Sequence, residues 1–256
     1  MGATDDRLRG MAQAFGILTR VPVGDRGAGV SGAALCWFPV VGAAIGVSGA
    51  FVWLTAGLVA PPGAAAVAAL VTTVVVTGAF HLDGLADTMD ALVGGRDRDH
   101  RRALLDDPRH GTYGVGAVVL QLLAQWSLLA GLTPGAGAVA LVLSHTLGRA
   151  GAVWAMVGAR PLGAGLGASV LRSLRVSDVM VASALAVVVA VGGVGGWGVA
   201  IVAAAGGTAV TVSRWGQRRL GGVNGDVLGA AEQLAETATL AGLVVLVGRG
   251  VAVPWW

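Results

Sequence analysis

From Gly27 to Phe80 the chain carries no charged residue, a stretch of 54 residues. One crossing of the bilayer hydrocarbon takes about 20 predominantly apolar residues in a helix. The stretch therefore suits two crossings, and Pro61-Pro62 supplies the turn between spans placed near 33–58 and 64–82. A second uncharged stretch, Gly111 to Leu147, holds the turn Thr133-Pro134-Gly135 and gives spans near 115–132 and 137–157. A third, Val179 to Ser213, is interrupted by Gly192-Gly193-Val194-Gly195-Gly196 and reads as two short spans, or as one tilted helix in a six-span alternative. A final span near 237–253 ends in Pro254-Trp255-Trp256, an aromatic pair suited to the headgroup layer. The expected fold is all-α: a polytopic membrane bundle of about seven transmembrane helices, forming one domain over residues 1–256.

Composition excludes the alternatives. Charged residues make up 12% of the chain, against roughly 25% in a soluble domain, too few to cover a core of this size with polar surface. The 43 glycines follow no Gly-X-Y period, and the apolar content of 55% is too high for a disordered linker. The single cysteine, Cys36, rules out a disulfide framework or a Cys-rich metal site and reads as a small apolar residue within a span. All seventeen basic residues are Arg, placed in short segments between apolar runs, which reports topology rather than a nucleic-acid face. With seven spans, sixteen of them share one side, Arg249 being the exception, and the positive-inside tendency makes that side cytoplasmic. Merging the fifth and sixth spans would send Arg214, Arg218 and Arg219 outside. Asp5, Asp6, Arg7 and Arg9 interrupt any secretory signal pattern, so the first spans are expected to serve as the targeting signal. Within the cytoplasmic segment 1–26, Leu8, Met11, Phe15 and Leu18 recur at the spacing of an interfacial amphipathic helix.

Chemistry concentrates in two of the charged segments, 83–114 and 214–236. In His81-Leu-Asp-Gly-Leu-Ala-Asp-Thr-Met-Asp90, residues Asp83, Asp87 and Asp90 fall at i, i+4 and i+7, one face of a helix. Carboxylates stacked so closely near a membrane boundary repel one another and call for a cation; oxygen-only ligands favour a hard ion, Mg²⁺ first. A solvated acidic helix end balanced by Arg96, Arg98, Arg101 and Arg102 is the plainer alternative. The loop Asp106-Asp-Pro-Arg-His110-Gly-Thr-Tyr-Gly114 offers Arg109 and His110 for phosphate binding or proton transfer, or is an ordinary polar connection. The run Gly221-Gly-Val-Asn-Gly-Asp226 opens an apolar helix bearing Glu232 and Glu236, where backbone N–H groups could approach a phosphate; Asp226 is either part of that site or an N-cap. Arg149, with His145 one turn earlier, must face the bundle, in either an anion-binding or a structural role. Gly42 and Gly46 form a small-residue pair for helix packing. Acids at helix ends, rather than at mid-span, favour an enzyme of phosphorylated substrates over a cation-coupled transporter.

The runs Phe80–Asp90, Asp107–Gly114 and Gly225-Asp-Val-Leu-Gly-Ala230 resemble the signature segments of the cobalamin synthase (adenosylcobinamide-GDP ribazoletransferase) family, and Phe15–Pro22 and Phe38-Pro-Val-Val-Gly42 resemble it too, in the same order. Val223-Asn224 departs from the expected more polar pair ending in Thr. The resemblance implies a Mg²⁺-dependent membrane enzyme that joins adenosylcobinamide-GDP to α-ribazole, or to its 5′-phosphate, and releases GMP. Asp83 and Asp87 would hold Mg²⁺ on the pyrophosphate, Asp226 would complete the metal shell, and Asp90 would bind metal or take the acceptor proton. His81 or His110 is the alternative base. Arg109 and Arg149 would neutralise the departing GMP, with Asn224 and Gly225 at the substrate. The implied partners are these two substrates and the lipid bilayer, with no nucleic acid; the small-residue faces would allow a homo-oligomer. A CDP-alcohol phosphotransferase obeys similar logic, but its longer acidic motif is absent.

Overall fold

The computed structural model describes residues 3–23, 31–253 and 255, with side chains from Leu8 onward. Residues 24–26 of the expected interfacial segment, the Arg7 side chain, and Pro254 and Trp256 of the terminal run lie outside that description. The regular elements among the described residues are helical: α1 (Ala3–Leu18), α2 (Gly32–Leu35), α3 (Phe38–Ala56), α4 (Pro62–Thr77), α5 (Phe80–Met89), α6 (Arg98–Leu105), α7 (Thr112–Ala130), α8 (Pro134–Ala155), α9 (Leu166–Ser173), α10 (Val176–Val194), α11 (Trp197–Leu220) and α12 (Gly225–Gly248). A π-helical turn, Asp90–Gly94, extends α5.

The protein is an all-α membrane bundle. Among the described residues, five helical segments are long and apolar enough to cross a bilayer: α2–α3 taken as Gly32–Ala56, α7, α8, α10 and α12. The pair Pro62–Thr77 and Phe80–Gly94 qualifies only as a broken unit bent by 91°, which brings the number to six where the sequence suggests about seven. The uncharged stretch 179–213 does divide into two helices, α10 and α11, which turn at Gly195 (φ 61°) and pack on each other. Both outrun the stretch, and α11, 24 residues long, carries Arg214, Arg218 and Arg219 in its last two turns, which keeps it outside the apolar set. The last helix also starts earlier than the span at 237–253, because α12 is continuous from Gly225 and takes Glu232 and Glu236 into the bundle.

The centre is α8, whose Ala136, Ala140, Leu143, Leu147, Ala150 and Val153 are buried against α3, α11 and α12. Gly42 and Gly46 let α3 approach it closely: a Cβ on either would meet the backbone carbonyl of His145 or of Leu141. The small-residue pair thus packs helices, as its spacing suggests. Outward, Phe51, Val75, Leu120 and Val188 leave an apolar exterior that acyl chains can cover. α1 lies against α2 with Ala14 and Leu18 fully buried and Leu8 exposed, so its apolar stripe seats on the bundle.

Candidate active site

The site begins with an elbow. Gly78 (φ 65°) and Ala79 (φ 59°) are both left-handed, and Ala79 N–H reaches back to the Val74 carbonyl at 3.0 Å while Gly78 N–H reaches Val75 at 3.2 Å, the bond pattern of a Schellman terminus. Glycine takes that conformation freely, whereas at Ala79 it costs about 1–2 kcal/mol. The elbow turns α5, with its acids, across the end of the bundle instead of letting the apolar span run on to residue 82. There α5 crosses α12 at two glycines. A Cβ on Gly84 would lie 3.0 Å from the Asp226 backbone, and one on Gly229 would lie 3.3 Å from the backbone of His81. An alanine at either position would have to push the facing backbone back by a few tenths of an ångström, so Gly84 and Gly229 set the distance between the two acidic motifs. Their place inside the motifs was the only sequence signal for this role.

Asp83, 64% exposed, and the partly buried Asp87 face the same side of α5, and Asp226 on α12 lies within electrostatic reach of both and of Asp106. His110 sits among them, its Nε2 3.5 Å from Asp83 and its Nδ1 3.3 Å from Asp87. The loop 106–111 therefore returns to the acids, and it brings Asp106, which sequence spacing did not single out. Asn224, not Asp226, caps α12: its side-chain oxygen accepts from Val227 N–H at 3.1 Å, and its amide donates to Asp226 at 2.6 Å. The preceding segment is fixed by an extended pairing in which Val223 N–H donates to Arg160 and Leu162 N–H donates to Val223.

The third acid of the helical register goes elsewhere. Asp90 is buried, and its two oxygens accept from the backbone N–H groups of Gly111 (2.6 Å) and Gly114 (2.8 Å), so the carboxylate caps α7 and ties the two motifs together. A Cβ on Gly111 or Gly114 would collide with it. With each oxygen accepting a backbone N–H, Asp90 anchors the two motifs to each other, a structural role that its place in the helical register did not signal. Among the described residues no three His, Cys, Asp or Glu side chains form a cage ready to hold an ion. The oxygen donors that could share a hard cation with a substrate are Asp83, Asp87 and Asp226.

Both arginines are paired with carboxylates of the chain itself. Arg109 donates through Nε and Nη2 to Asp107 (2.9 and 2.7 Å), and its side chain is 85% exposed. That pairing and the Arg109 backbone N–H hold the Asp107 carboxyl down at about 2, so the contact is complete above the ordinary carboxylate range and is lost only as pH falls toward 2. Arg149 is 1% exposed inside the bundle, where its Nη1 meets Glu232 and Glu236 and lies 2.8 Å from His145. His145 contacts Glu236 at 2.6 Å, Gln125 donates to Glu236 at 3.1 Å, and Gln233 donates to Glu232 at 2.8 Å. Arg149 is thus the counter-charge of two buried glutamates. The i, i+4 spacing of Glu232 and Glu236 is the signal that could have revealed them as its partners. His81 is buried at the edge of this network, its Nδ1 3.3 Å from Glu232 but not aligned as a hydrogen bond.

Between α5, α12 and the elements covering them lies a cavity of about 370 Å³, lined by Asp83, Asp106, Asn224, Gly225 and Asp226 and by apolar residues of α1, α3 and α9. A helical membrane bundle with a small acidic cavity at one end, where two glycine-spaced helices cross, is a polytopic membrane protein with a polar chamber at the end of its spans. The model of the family described as cobalamin-5-phosphate synthase matches residues 10–244, and the chain belongs to that family. Among its relatives, adenosylcobinamide-GDP ribazoletransferase of Bradyrhizobium diazoefficiens is 37% identical over 236 residues, covering 89% of this chain and 90% of that protein. The protein of the same name from Ralstonia pickettii is 34% identical over 257 residues, covering 95% and 98%. No solved structure matches the chain.

Proposed function

We propose that this membrane transferase of cobalamin biosynthesis joins adenosylcobinamide-GDP to α-ribazole, or to α-ribazole 5′-phosphate, and releases GMP. The observation that carries the reading is the glycine-set crossing of α5 and α12, which gathers Asp83, Asp87 and Asp226 from two separate motifs, with Asp83 and Asp226 lining one cavity. Three carboxylates brought together repel one another, and a cation among them relieves that repulsion. The hard-oxygen donor set suits Mg²⁺, which is commonly held by one or two carboxylates together with substrate phosphates, so an open site fits better than a closed cage. Bound there by Asp83, Asp87 and Asp226, the ion would neutralise charge on the pyrophosphate. The attacking ribazole hydroxyl displaces GMP from the phosphorus that stays with the cobinamide, and its proton needs an acceptor. His110 is the exposed base beside the acids, whereas Asp90 is tied up by backbone N–H groups and His81 is buried. Asn224 holds Asp226 in place through its amide.

The charged segments and the acidic cavity are placed on the cytoplasmic side, an assignment supported by the distribution of Arg. Sealed vesicles test both parts of the reading. Inverted vesicles given both substrates are expected to form GMP and cobalamin in equal amounts with Mg²⁺, not with EDTA, and not with Asp83→Asn; right-side-out vesicles should form none. Full turnover by Asp83→Asn would remove the metal role of that carboxylate, and no product from folded protein with either acceptor would remove the transferase reading.

A further inference from the structure

We propose that the cavity beside Asp226 is the acceptor pocket, and that its apolar floor selects the flat bicyclic base of α-ribazole. This rests on the transferase reading above and deepens it. The floor is assembled from five parts of the chain: Leu18 of α1, Phe38 of α3, Met156 just after α8, Val170 of α9 and Leu228 of α12. Each is at most 6% exposed, yet each borders the open space. The polar groups, Asp83, Asp106, Asn224 and Asp226, line the same cavity from the acidic side. Such a cavity takes a molecule with one apolar face and one polar end.

Size and chemistry decide which substrate part fits. At about 370 Å³ the cavity lies at the lower end of the roughly 300–1,000 Å³ of small-molecule pockets, room for a nucleoside but not for a corrin macrocycle. Guanine carries donors and acceptors around its edge, and these floor side chains offer nothing to pair with them, so burying it there is unfavourable. Among the described residues no Arg lines the cavity, so its floor offers a phosphate no cation, and phosphates are left to the acidic side where the metal would sit. The dimethylbenzimidazole of α-ribazole is apolar along the edge that would enter first. With that edge on Phe38 and Met156, the ribose hydroxyls are left at the acidic side, where the attack must start. A 5′-phosphate, where present, would remain at the mouth.

The first test uses the unaltered protein in membranes, with three acceptors: α-ribazole, its analogue lacking both ring methyl groups, and the corresponding adenine riboside. The expected result is a fall in kcat/KM of about tenfold or more on removing the methyl groups, and a larger fall with adenine, since a single methylene in an apolar pocket is typically worth 10-fold or more. The second uses Val170→Phe, which fills the floor from a short covering helix: KM for α-ribazole should rise at least about tenfold while KM for adenosylcobinamide-GDP stays unchanged. Equal kcat/KM for the three acceptors would overturn the inference, as would a Val170→Phe protein whose donor KM rises alone. If Val170→Phe does not fold, the acceptor series decides by itself. Absence of GMP release from every substrate pair would instead overturn the transferase reading.

Discussion

Arg149 brings a full charge into the centre of an apolar bundle, and the neighbouring helix answers with two carboxylates. Arg149 is the one group that both Glu232 and Glu236 contact, so the network tolerates the loss of a carboxylate better than the loss of the guanidinium. Arg149→Met is expected to lower stability by about 3–5 kcal/mol, as when a buried pair loses one partner, and Glu236→Gln by well under half of that. Thermal unfolding of the purified protein in detergent measures both, and equal losses would refute the central place of Arg149. The sequence exposed Arg149 as costly and bundle-facing but left its role open, because the partners lie more than eighty positions away and a single chain gives no pairing signal at that range. Asp90 illustrates the opposite limit. Helical register correctly put it on the acidic helix, but register cannot say that two glycine N–H groups twenty or more residues later will claim both its oxygens.

At the scale of elements, the site depends less on which side chains are present than on how near α5 can come to α12. Gly84→Val would place branched carbon against the Asp226 backbone, where even a Cβ stands at 3.0 Å, and push the helices apart. The expected outcome is folded protein with activity reduced at least about a hundredfold, since a displacement of about 1 Å at a reacting centre can cost that much. Wild-type turnover by a folded Gly84→Val protein would show that the crossing does not set the site. The helices themselves were largely legible, because uncharged length and Pro or Gly turns report hydrocarbon crossings directly: the breaks at Pro61-Pro62, Thr133-Pro134 and Gly195-Gly196 all separate helices. The elbow at Gly78-Ala79 was not, because apolar sequence continues through it and a left-handed alanine leaves no mark in composition.

In the whole molecule, one end of the bundle is simple turns and the other gathers α1, α5, α6, α9 and the start of α12 into a roof over the cavity. Motif order in the sequence located that roof; its walls from α1 and α9 came from apolar residues with no motif to flag them. The elbow has a further consequence for the whole. α4 is 16 residues long, about 24 Å at the rise of an α-helix, against roughly 30 Å of hydrocarbon. The acidic helix is thus hung from a strut shorter than a typical hydrocarbon layer, so the position of the reaction chamber relative to the headgroups is expected to shift with lipid length. Bilayer thickness is then expected to tune turnover. Reconstituted into phosphatidylcholines of increasing acyl length, the protein should turn over fastest in the thinner bilayers and slow as longer chains rise past the elbow, with its unfolding temperature little changed. A rate indifferent to chain length would mean that the membrane deforms around the roof, and that the lipid acts only as solvent.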